Sequence, residues 1–240
     1  MKVNYKIGSE NYDILIKDKI DNSISKKINS INSDKKILFV YDKKINKNLV
    51  NKIVKTLKES GCLLIAIEFI GNKKNKSEKS LLNLIDIMID NKFSKKSIVI
   101  SFGGGVLGDL AALAASLYYR GTIYFNIPST MTSIIDSCIG GKTAINYKNI
   151  INSVGNYYHP HAVFIFNDVI KLIPDREFVA GIPEILKCGL IKKNKILKIL
   201  TNNKQELLKR DFKIVSKLCA ETLMTKIFFF KDEEYEKKID

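Results

Sequence analysis

Residues 97–109 read SIVISFGGGVLGD, a short apolar run that passes directly into three consecutive glycines. The apolar residues Ile98-Val99-Ile100, between Ser97 and Ser101, are typical of a short strand buried on both faces of a parallel sheet. A helix is predicted from Leu110 to Tyr119, with Asp109 in its first turn, where a carboxylate can cap the helix or bind a hydroxyl. Glycines at such a junction let the backbone approach a phosphate, and the helix amino end offers free N–H groups. A tight turn without a ligand is the alternative, since the spacing differs from the dinucleotide fingerprint.

The segments around this junction predict alternating strands and helices. They are an apolar strand over 37–41 that ends at Asp42, a helix over 46–60 that stops at Gly61, a strand over 64–70 and a helix over 81–89. Residues 1–16 alternate with a period of two, which predicts an antiparallel hairpin, and 175–236 is helical by period. We therefore predict an α/β amino-terminal domain with a parallel sheet, residues 1–175, followed by the start of an all-α domain, residues 176–240.

The composition is that of a globular protein with a basic surface. The 240 residues are 45% hydrophobic and 27% charged, and 40 Lys+Arg against 25 Asp+Glu give a formal net charge of +15. The lysines are spread along the chain among abundant Asn and Ile, without the aromatic interleaving of a nucleic-acid groove. We therefore expect a compositionally biased, solvated surface that attracts small anionic substrates, and no nucleic-acid partner.

No targeting or membrane segment is predicted. The sequence has no run of 18 apolar residues and begins without an apolar signal segment. Its four cysteines, Cys62, Cys138, Cys188 and Cys219, are scattered, which indicates small buried residues in a reducing compartment. A cytoplasmic location without membrane contact is expected.

A second polar, glycine-containing stretch extends from Arg120 to Asn152. It contains Pro128-Ser129-Thr130 and then Asp136, followed by Gly140-Gly141-Lys142-Thr143. A Walker A loop would need a glycine where Asp136 stands, so the phosphate-loop interpretation fails. A carboxylate, an ammonium and several hydroxyls on an open backbone suit a polar, anionic small molecule. Asp42, at the end of its strand, stands where an acidic residue would meet an adenosine ribose, although such residues are also common turn formers.

Several blocks together resemble the 3-dehydroquinate synthase family. In family order and spacing these blocks are GGGVLGDLA (103–111), YRG (119–121), IPST (127–130), DSCIGGKTAIN (136–146) and REFVAGIPEILKCG (176–189). The resemblance implies a lyase that requires NAD and a divalent metal, zinc or cobalt, and works as a homodimer. The implied reaction converts 3-deoxy-D-arabino-heptulosonate 7-phosphate, a sugar-acid phosphate, to 3-dehydroquinate and phosphate. A related sugar-phosphate cyclase that makes a cyclitol by the same redox and elimination chemistry is the nearest alternative.

The resemblance also implies site residues. The positions that match cofactor contacts are Asp42, Lys76, Gly104, Gly105, Val106, Leu107, Gly108, Asp109, Ser129, Thr130, Lys142, Val169, Ile170, Lys171 and Leu172. The positions that match catalytic or substrate contacts are Asp136, Lys142, Asn152, Lys187 and Arg120, the last reaching the phosphate from the neighbouring subunit. Glu184 matches a metal ligand, and Lys226 matches a substrate-binding lysine in a register shifted by about one residue. An ordinary exposed ion pair on one helix is the alternative for Glu184 and Lys187, three residues apart.

The chain departs from the family pattern at several positions. The family motif Gly-Glu-x-x-Lys-Ser can be aligned in two ways, with its Lys-Ser at Lys76-Ser77 or three residues later. In both alignments a lysine stands where the family has Glu, so recognition of the ribose falls more heavily on Asp42. Ile151 replaces a family lysine, and Phe166 a family Asp. The sequence ends at Asp240, before the family block whose two histidines furnish a metal ligand and a catalytic group, and before the later histidine that completes the metal site. His159 and His161 match no ligand.

Three interpretations of this ending remain. The chain is a C-terminally truncated synthase, a piece completed by a separate one, or an NAD-binding remnant without enzymatic activity. In the first two cases the helices after residue 176 should leave several hundred Å² of apolar surface uncovered.

Overall fold

The computed structural model describes residues 1–192 and 195–230 and is built around one seven-stranded sheet. Its strands are β1 (Lys2–Ile7), β2 (Glu10–Lys17), β3 (Lys36–Asp42), β4 (Leu63–Phe69), β5 (Ile98–Gly103), β6 (Ile123–Pro128) and β9 (Ala162–Phe166), while β7 (Lys142–Tyr147) and β8 (Ile150–Tyr157) form a separate hairpin. The helices are α1 (Ser23–Asn29), α2 (Lys47–Lys58), α3 (Glu78–Asp90), α4 (Gly105–Leu117), α5 (Asn167–Ile170), α6 (Asp175–Ala180), α7 (Ile182–Lys192), α8 (Lys195–Asn202), α9 (Lys204–Leu208) and α10 (Phe212–Phe230).

The strand order in the sheet is β1-β2-β9-β6-β5-β3-β4, and every neighbouring pair except β1 with β2 is parallel. The parallel pairing places the carboxyl ends of β3, β5 and β6 along the same edge of the sheet. Glycines and polar residues follow these three ends, so ligand-binding groups accumulate at this edge. The predicted α/β class and the amino-terminal hairpin are confirmed.

Helices cover both faces of the sheet, which explains the continuous apolar character of its central strands. On β3, Ile37 and Phe39 pack with α1 and α2, whereas Leu38 and Val40 pack with α3 and α4. A parallel strand enclosed in this way has no solvent face and therefore no polar alternation.

The helical part shares a hydrophobic cluster with the amino-terminal hairpin. Tyr5 and Ile14 belong to the same buried cluster as Ile185 of α7 and Leu223 of α10. The helical prediction after residue 175 is confirmed as far as Phe230, and the later residues of that prediction lie outside the described part. Since this cluster has members on both sides of residue 175, the division into two domains there stays a prediction.

Apolar side chains on α7 and α10 remain exposed, as the sequence predicted for this region. Leu190 and Ile191 are 59% and 56% exposed, and Phe228 is 48% exposed. Ile191 also lines the cavity described below.

One sequence-based expectation about secondary structure was wrong, and two elements were missed. The helix expected from Leu110 begins at Gly105, directly after the strand, so Asp109 is its fifth residue and lies beyond the first turn. This early start is possible because Gly104 caps the helix in an extended conformation and no connecting loop is needed. The amphipathic strand and helix patterns also gave no indication of α1 or of the β7–β8 hairpin.

Arg210 joins the helical part to the segment after β9. Its guanidinium is almost fully buried and donates hydrogen bonds to the carbonyl oxygens of Ile170 (3.2 Å) and Lys171 (2.6 Å). It also pairs with the exposed carboxylate of Asp175 at 2.6 Å and lies over the ring of Phe178.

Replacing Arg210 by alanine is expected to lower the free energy of unfolding by about 2–4 kcal/mol, because one buried and one partly buried carbonyl oxygen lose their charged donor. Chemical denaturation measures this effect. Arg176→Ala removes an exposed arginine nearby and should change stability by no more than about 0.5 kcal/mol. Equal effects of the two substitutions would contradict the structural role of Arg210.

Candidate active site

The junction between β5 and α4 forms one wall of the site. Gly104 caps α4 without any side-chain hydrogen bond, so the first N–H groups of this 13-residue helix have no intrahelical acceptor. The Ser129 N–H donates to the Gly103 carbonyl oxygen at 2.8 Å, which brings the end of β6 alongside the glycines. A Cβ atom on Gly104 would lie 3.1 Å from Cγ2 of Thr130. A ligand can therefore approach the backbone at position 104 only because this residue has no side chain.

The predicted residues converge on one cavity of about 610 Å³. The sequence-predicted residues that line it are Asp109, Asp136, Lys142, Asn152, Glu184 and Lys187. They come from α4, the turn after β6, the hairpin and α7, so the fold brings together segments that are far apart in sequence. Lys226 of α10 also lines this cavity.

Three of the predicted residues contact each other. The Lys76 ammonium lies 2.5 Å from Oδ2 of Asp109 and 2.5 Å from Oδ1 of Asn152. Burial raises the pKa of Asp109, the hydrogen bond and charge of Lys76 act against that shift, and the nearby Asp136 reinforces it. These contacts favour the alignment in which Lys76, rather than the lysine three residues later, occupies the site.

Lys226 links two carboxylates on the opposite wall. Its ammonium lies 2.6 Å from Asp136 and 2.8 Å from Glu184, while Lys187 lies 3.6 Å from Glu184. The hydrogen bond from Lys226 lowers the pKa of Glu184 although burial opposes this. Burial alone would lower the pKa of Lys226, but its hydrogen bonds to Asp136 and Glu184 outweigh burial and raise it. Glu184 is thus part of a cluster, and the simple exposed ion pair with Lys187 is not the whole arrangement.

These shifts predict a pH dependence of stability. The lowered pKa of Glu184 stabilises the fold above its ordinary value of 4.5, and this stabilisation is lost as pH falls through the folded pKa. The raised pKa of Lys226 stabilises the fold below 10.5, and this stabilisation is lost as pH rises through the folded pKa. We expect Lys226→Met to lower the free energy of unfolding by about 1 kcal/mol near neutral pH.

The difference between wild type and Lys226→Met should shrink as the pH falls below 4.5. Urea denaturation between about pH 3 and pH 8 measures it. Lys217→Met, at an exposed lysine of the same helix, serves as the control and should give a small, pH-independent difference. A difference for Lys226→Met that did not depend on pH would contradict the ion-pair cluster.

Sequence reasoning missed one wall of the cavity. Tyr5, Ile7 and Glu10 of the amino-terminal hairpin line it, together with Tyr157 and His159. The His159 ring packs against Tyr5 and Tyr12, with ring centroids 5.2 and 5.8 Å apart. No local motif marks Tyr5, Ile7 or Glu10, because the amino-terminal hairpin reaches the cavity only through the pairing of β2 with β9.

Glycines shape the turn between the two walls. Gly140 and Gly141 have φ angles of +85° and +72°, a conformation that residues with a side chain rarely adopt. A Cβ atom on Gly141 would also lie 2.8 Å from the His159 ring. These two glycines therefore allow the chain to pass His159 and deliver Lys142 to the cavity.

Other predicted residues do not line this cavity. Asp42 lies at the end of β3, buried, where its Oδ1 accepts a hydrogen bond from the Lys44 N–H at 3.0 Å. In the segment 169–172, Val169 and Ile170 are buried in the hydrophobic core, while Lys171 and Leu172 are exposed. Arg120 is exposed, with a φ of +60°, outside the cavity of its own chain.

The histidines and cysteines do not form a metal centre in the described part of the chain. His161 accepts a hydrogen bond from the Tyr124 N–H at 3.2 Å through Nδ1, and burial lowers the pKa values of both His159 and His161. All four cysteines are free thiols, and three of them are buried. Within residues 1–192 and 195–230, no three His, Cys, Asp or Glu side chains are grouped so that they could hold a metal ion.

None of the helices within these same ranges has both the length and the hydrophobicity that crossing a bilayer requires.

Comparison with known proteins identifies the family. Residues 66–180 match the family model described as 3-dehydroquinate synthase N-terminal. The 3-dehydroquinate synthase of Prochlorococcus marinus (strain MIT 9515) is 31% identical over 242 aligned residues, which cover 99% of this chain and 67% of the relative. The chain belongs to the 3-dehydroquinate synthase family. A second 3-dehydroquinate synthase, from Clostridium kluyveri, is 33% identical over 220 residues, covering 91% of this chain and 61% of the relative.

Solved structures agree with this family's fold. A crystal structure of 2-deoxy-scyllo-inosose synthase, complexed with carbaglucose-6-phosphate, NAD+ and Co2+, superposes with a TM-score of 0.85. At 20% identity it covers 99% of this chain and 66% of its own, so it supports the fold alone. The chain spans about two thirds of the length of its 3-dehydroquinate synthase relatives.

Proposed function

We propose that this chain provides the cofactor-binding and much of the substrate-binding surface of a 3-dehydroquinate synthase. The reaction would convert 3-deoxy-D-arabino-heptulosonate 7-phosphate to 3-dehydroquinate and phosphate. The observation that carries the proposal is the convergence of Asp109, Asp136, Lys142, Asn152, Glu184 and Lys187 on a single cavity. Each of these residues occupies a position in the sequence that matches a family site position.

NAD fits the open backbone between β5 and α4. The uncapped amino end of α4 can donate hydrogen bonds to a diphosphate, and the bare backbone at Gly104 and Gly105 leaves room for it. Asp42, at the end of the adjacent strand, would accept a hydrogen bond from a ribose hydroxyl. Asp109 would hold the nicotinamide end beside the cavity. When bound, NAD supplies a reversible acceptor for a hydride from a substrate hydroxyl carbon.

The charges lining the cavity suit a substrate that carries a carboxylate, a phosphate and several hydroxyls. Lys142, Lys187 and Lys226 provide ammonium groups for the anionic ends. Asp136, about half exposed, has a carboxylate that can accept hydrogen bonds from substrate hydroxyls. Because Lys226 holds Asp136 and Glu184 in place, binding would require little rearrangement of these carboxylates.

The residues of the described part do not complete a metal site. Glu184 would supply one carboxylate ligand, but its nearest cationic partner here is the Lys226 ammonium. Zinc needs three or four ligands, and no such group is present within residues 1–192 and 195–230. The predicted zinc or cobalt ion therefore has only one of its donors in this part of the chain, and no step above depends on it.

A homodimer in the cytoplasm is proposed with the activity. Exposure of Arg120 outside its own cavity agrees with a role in the site of a neighbouring copy. The free cysteines suit a reducing compartment.

Two measurements on the 240-residue chain test the proposal. Calorimetry should detect binding of NAD+, and binding of 3-deoxy-D-arabino-heptulosonate 7-phosphate to the NAD+-loaded chain. Sedoheptulose 7-phosphate and glucose 6-phosphate distinguish the related cyclases. Lys142→Met should reduce affinity for the substrate, whereas Lys148→Met, at an exposed lysine of the same hairpin, should not. Absence of NAD+ binding, or binding of the alternative substrates only, would overturn the proposal.

A further inference from the structure

Lys76 lies where three separate segments of the chain meet. It precedes α3, and its side chain is only 9% exposed. Its ammonium contacts Asp109 of α4 on one side and Asn152 of β8 on the other, both at 2.5 Å. One buried cation therefore connects the nucleotide-binding helix to the outer strand of the β7–β8 hairpin.

The backbone around Lys76 binds the hairpin as well. The Asn146 N–H donates to the Lys76 carbonyl oxygen at 2.8 Å, and the Asn146 side-chain amide donates to the Lys73 carbonyl oxygen at 3.2 Å. Asn146 in turn accepts a hydrogen bond from the Asn152 N–H at 3.0 Å. Residues 73–76 therefore contact both strands of the hairpin, at Asn146 of β7 and at Asn152 of β8.

The hairpin backbone is irregular around Asn146 and Asn152. The register shifts between Ile145 and Tyr147, so that residues 151–153 of β8 lie opposite Asn146 alone. Asn152 has a φ of +54°, which an asparagine adopts more readily than most residues but still at a cost. Bulges of this kind re-aim a side chain, and here the Asn152 amide is directed to Lys76.

β8 is the outer, solvent-exposed strand of the hairpin. Ile145 of β7 is buried among residues of α3 and α4, whereas all eight residues of β8 are exposed. The Lys76 contact with Asn152 attaches β8 through a side chain to the segment before α3 and, through Asp109, to α4.

We infer that Lys76 is a positioning residue that fastens Asn152, and with it β8, over the cavity. The inference deepens the proposed function, since Asn152 and Lys142 of this hairpin are proposed to bind the substrate. Lys76 thereby acts on the substrate side of the site through Asn152, in addition to the cofactor contact that its sequence position implied.

Hydrogen exchange of the ligand-free protein tests this inference. In Lys76→Met, the amides of residues 146–154 should exchange on the order of 10-fold faster than in wild type, because a charge-assisted hydrogen bond is lost. Lys74→Met, which removes an exposed ammonium from the same segment, is the control and should leave exchange unchanged. Because no ligand is present, the result is independent of whether the proposed reaction is correct.

A second variant separates the hairpin attachment from overall stability. Asn152→Gly removes the amide without backbone strain and should accelerate the same amides to a similar extent, whereas Asn149→Gly, also at positive φ in this hairpin, should not. The double variant Lys76→Met/Asn152→Gly should exchange no faster than either single variant, since both remove the same contact. The inference would be overturned if the increases in exchange rate of the two single variants multiplied in the double variant. It would also be overturned if amide exchange in β3 and β5 accelerated equally.

Discussion

Gly155→Ala is expected to lower the affinity for the sugar-acid phosphate by a factor on the order of 100 and to destabilise the hairpin. A Cβ atom at this position would lie 2.2 Å from the carbonyl oxygen of Thr143 and 2.9 Å from Cβ of Ala144. The obstructing atom is backbone of the paired strand, so it cannot rotate away and β8 must separate from β7. Lys142 and Asn152 then lose their positions, and each contributes on the order of 1–3 kcal/mol of polar contact.

Substrate calorimetry and thermal unfolding together measure this effect. Gly108→Ala provides the stability control, because its Cβ would have only ordinary contacts at 3.7 Å inside a helix. That substitution should raise stability by up to about 1 kcal/mol. An unchanged hairpin and unchanged substrate affinity in Gly155→Ala would show that the two strands are not paired as described.

Gly104→Val is expected to abolish NAD+ binding, with at least about a 100-fold loss of affinity, while the fold is retained. The φ and ψ angles of Gly104 are −76° and −178°, which any residue can adopt, so the substitution causes no backbone strain. The added side chain would enter the space between α4 and Thr130, where the backbone must approach a diphosphate. Two charge-assisted hydrogen bonds to the helix amino end account for a loss of this size.

Gly61→Ala should show the opposite pattern. Gly61 has a φ of +73° and nothing within 4 Å of an added Cβ, so alanine there is strained but obstructs no ligand. Stability should fall by about 1 kcal/mol and NAD+ affinity should not change. If Gly104→Val bound NAD+ as wild type does, the diphosphate site would have to lie elsewhere.

The central sheet was predictable because its strands are enclosed by helices. The buried run Ile37–Val40 of β3 contains no polar residue, that of β5 contains only Ser101, and α2 has an apolar face that repeats with the helical period. The β7–β8 hairpin gave no such signal, since every residue of β8 is exposed and no burial pattern exists to detect. Its position depends on polar contacts between distant segments, which the sequence does not display.

The site was predictable where motifs are contiguous and hidden where it depends on tertiary contacts. The glycine-rich junction and the segment around Asp136 could be matched as local blocks, and the structure brings Asp109 of the first block and Asp136 of the second to the cavity. Tyr5 and Glu10 belong to an ordinary hairpin in the sequence and line the cavity only because of strand order. The contacts of Lys226 with two carboxylates likewise require α10 to pack beside the turn after β6.

The parallel pairing of β2 with β9 has a consequence for how the protein is made. Ile14 pairs with Val163, so the amino-terminal strand must wait for almost 150 further residues to leave the ribosome before it finds its neighbour. During this interval the apolar side of the first hairpin lacks its permanent cover and depends on chaperones or transient collapse. Slow translation of the region before β9 would therefore expose the nascent chain to aggregation, and one side of the cavity would be among the last parts to form.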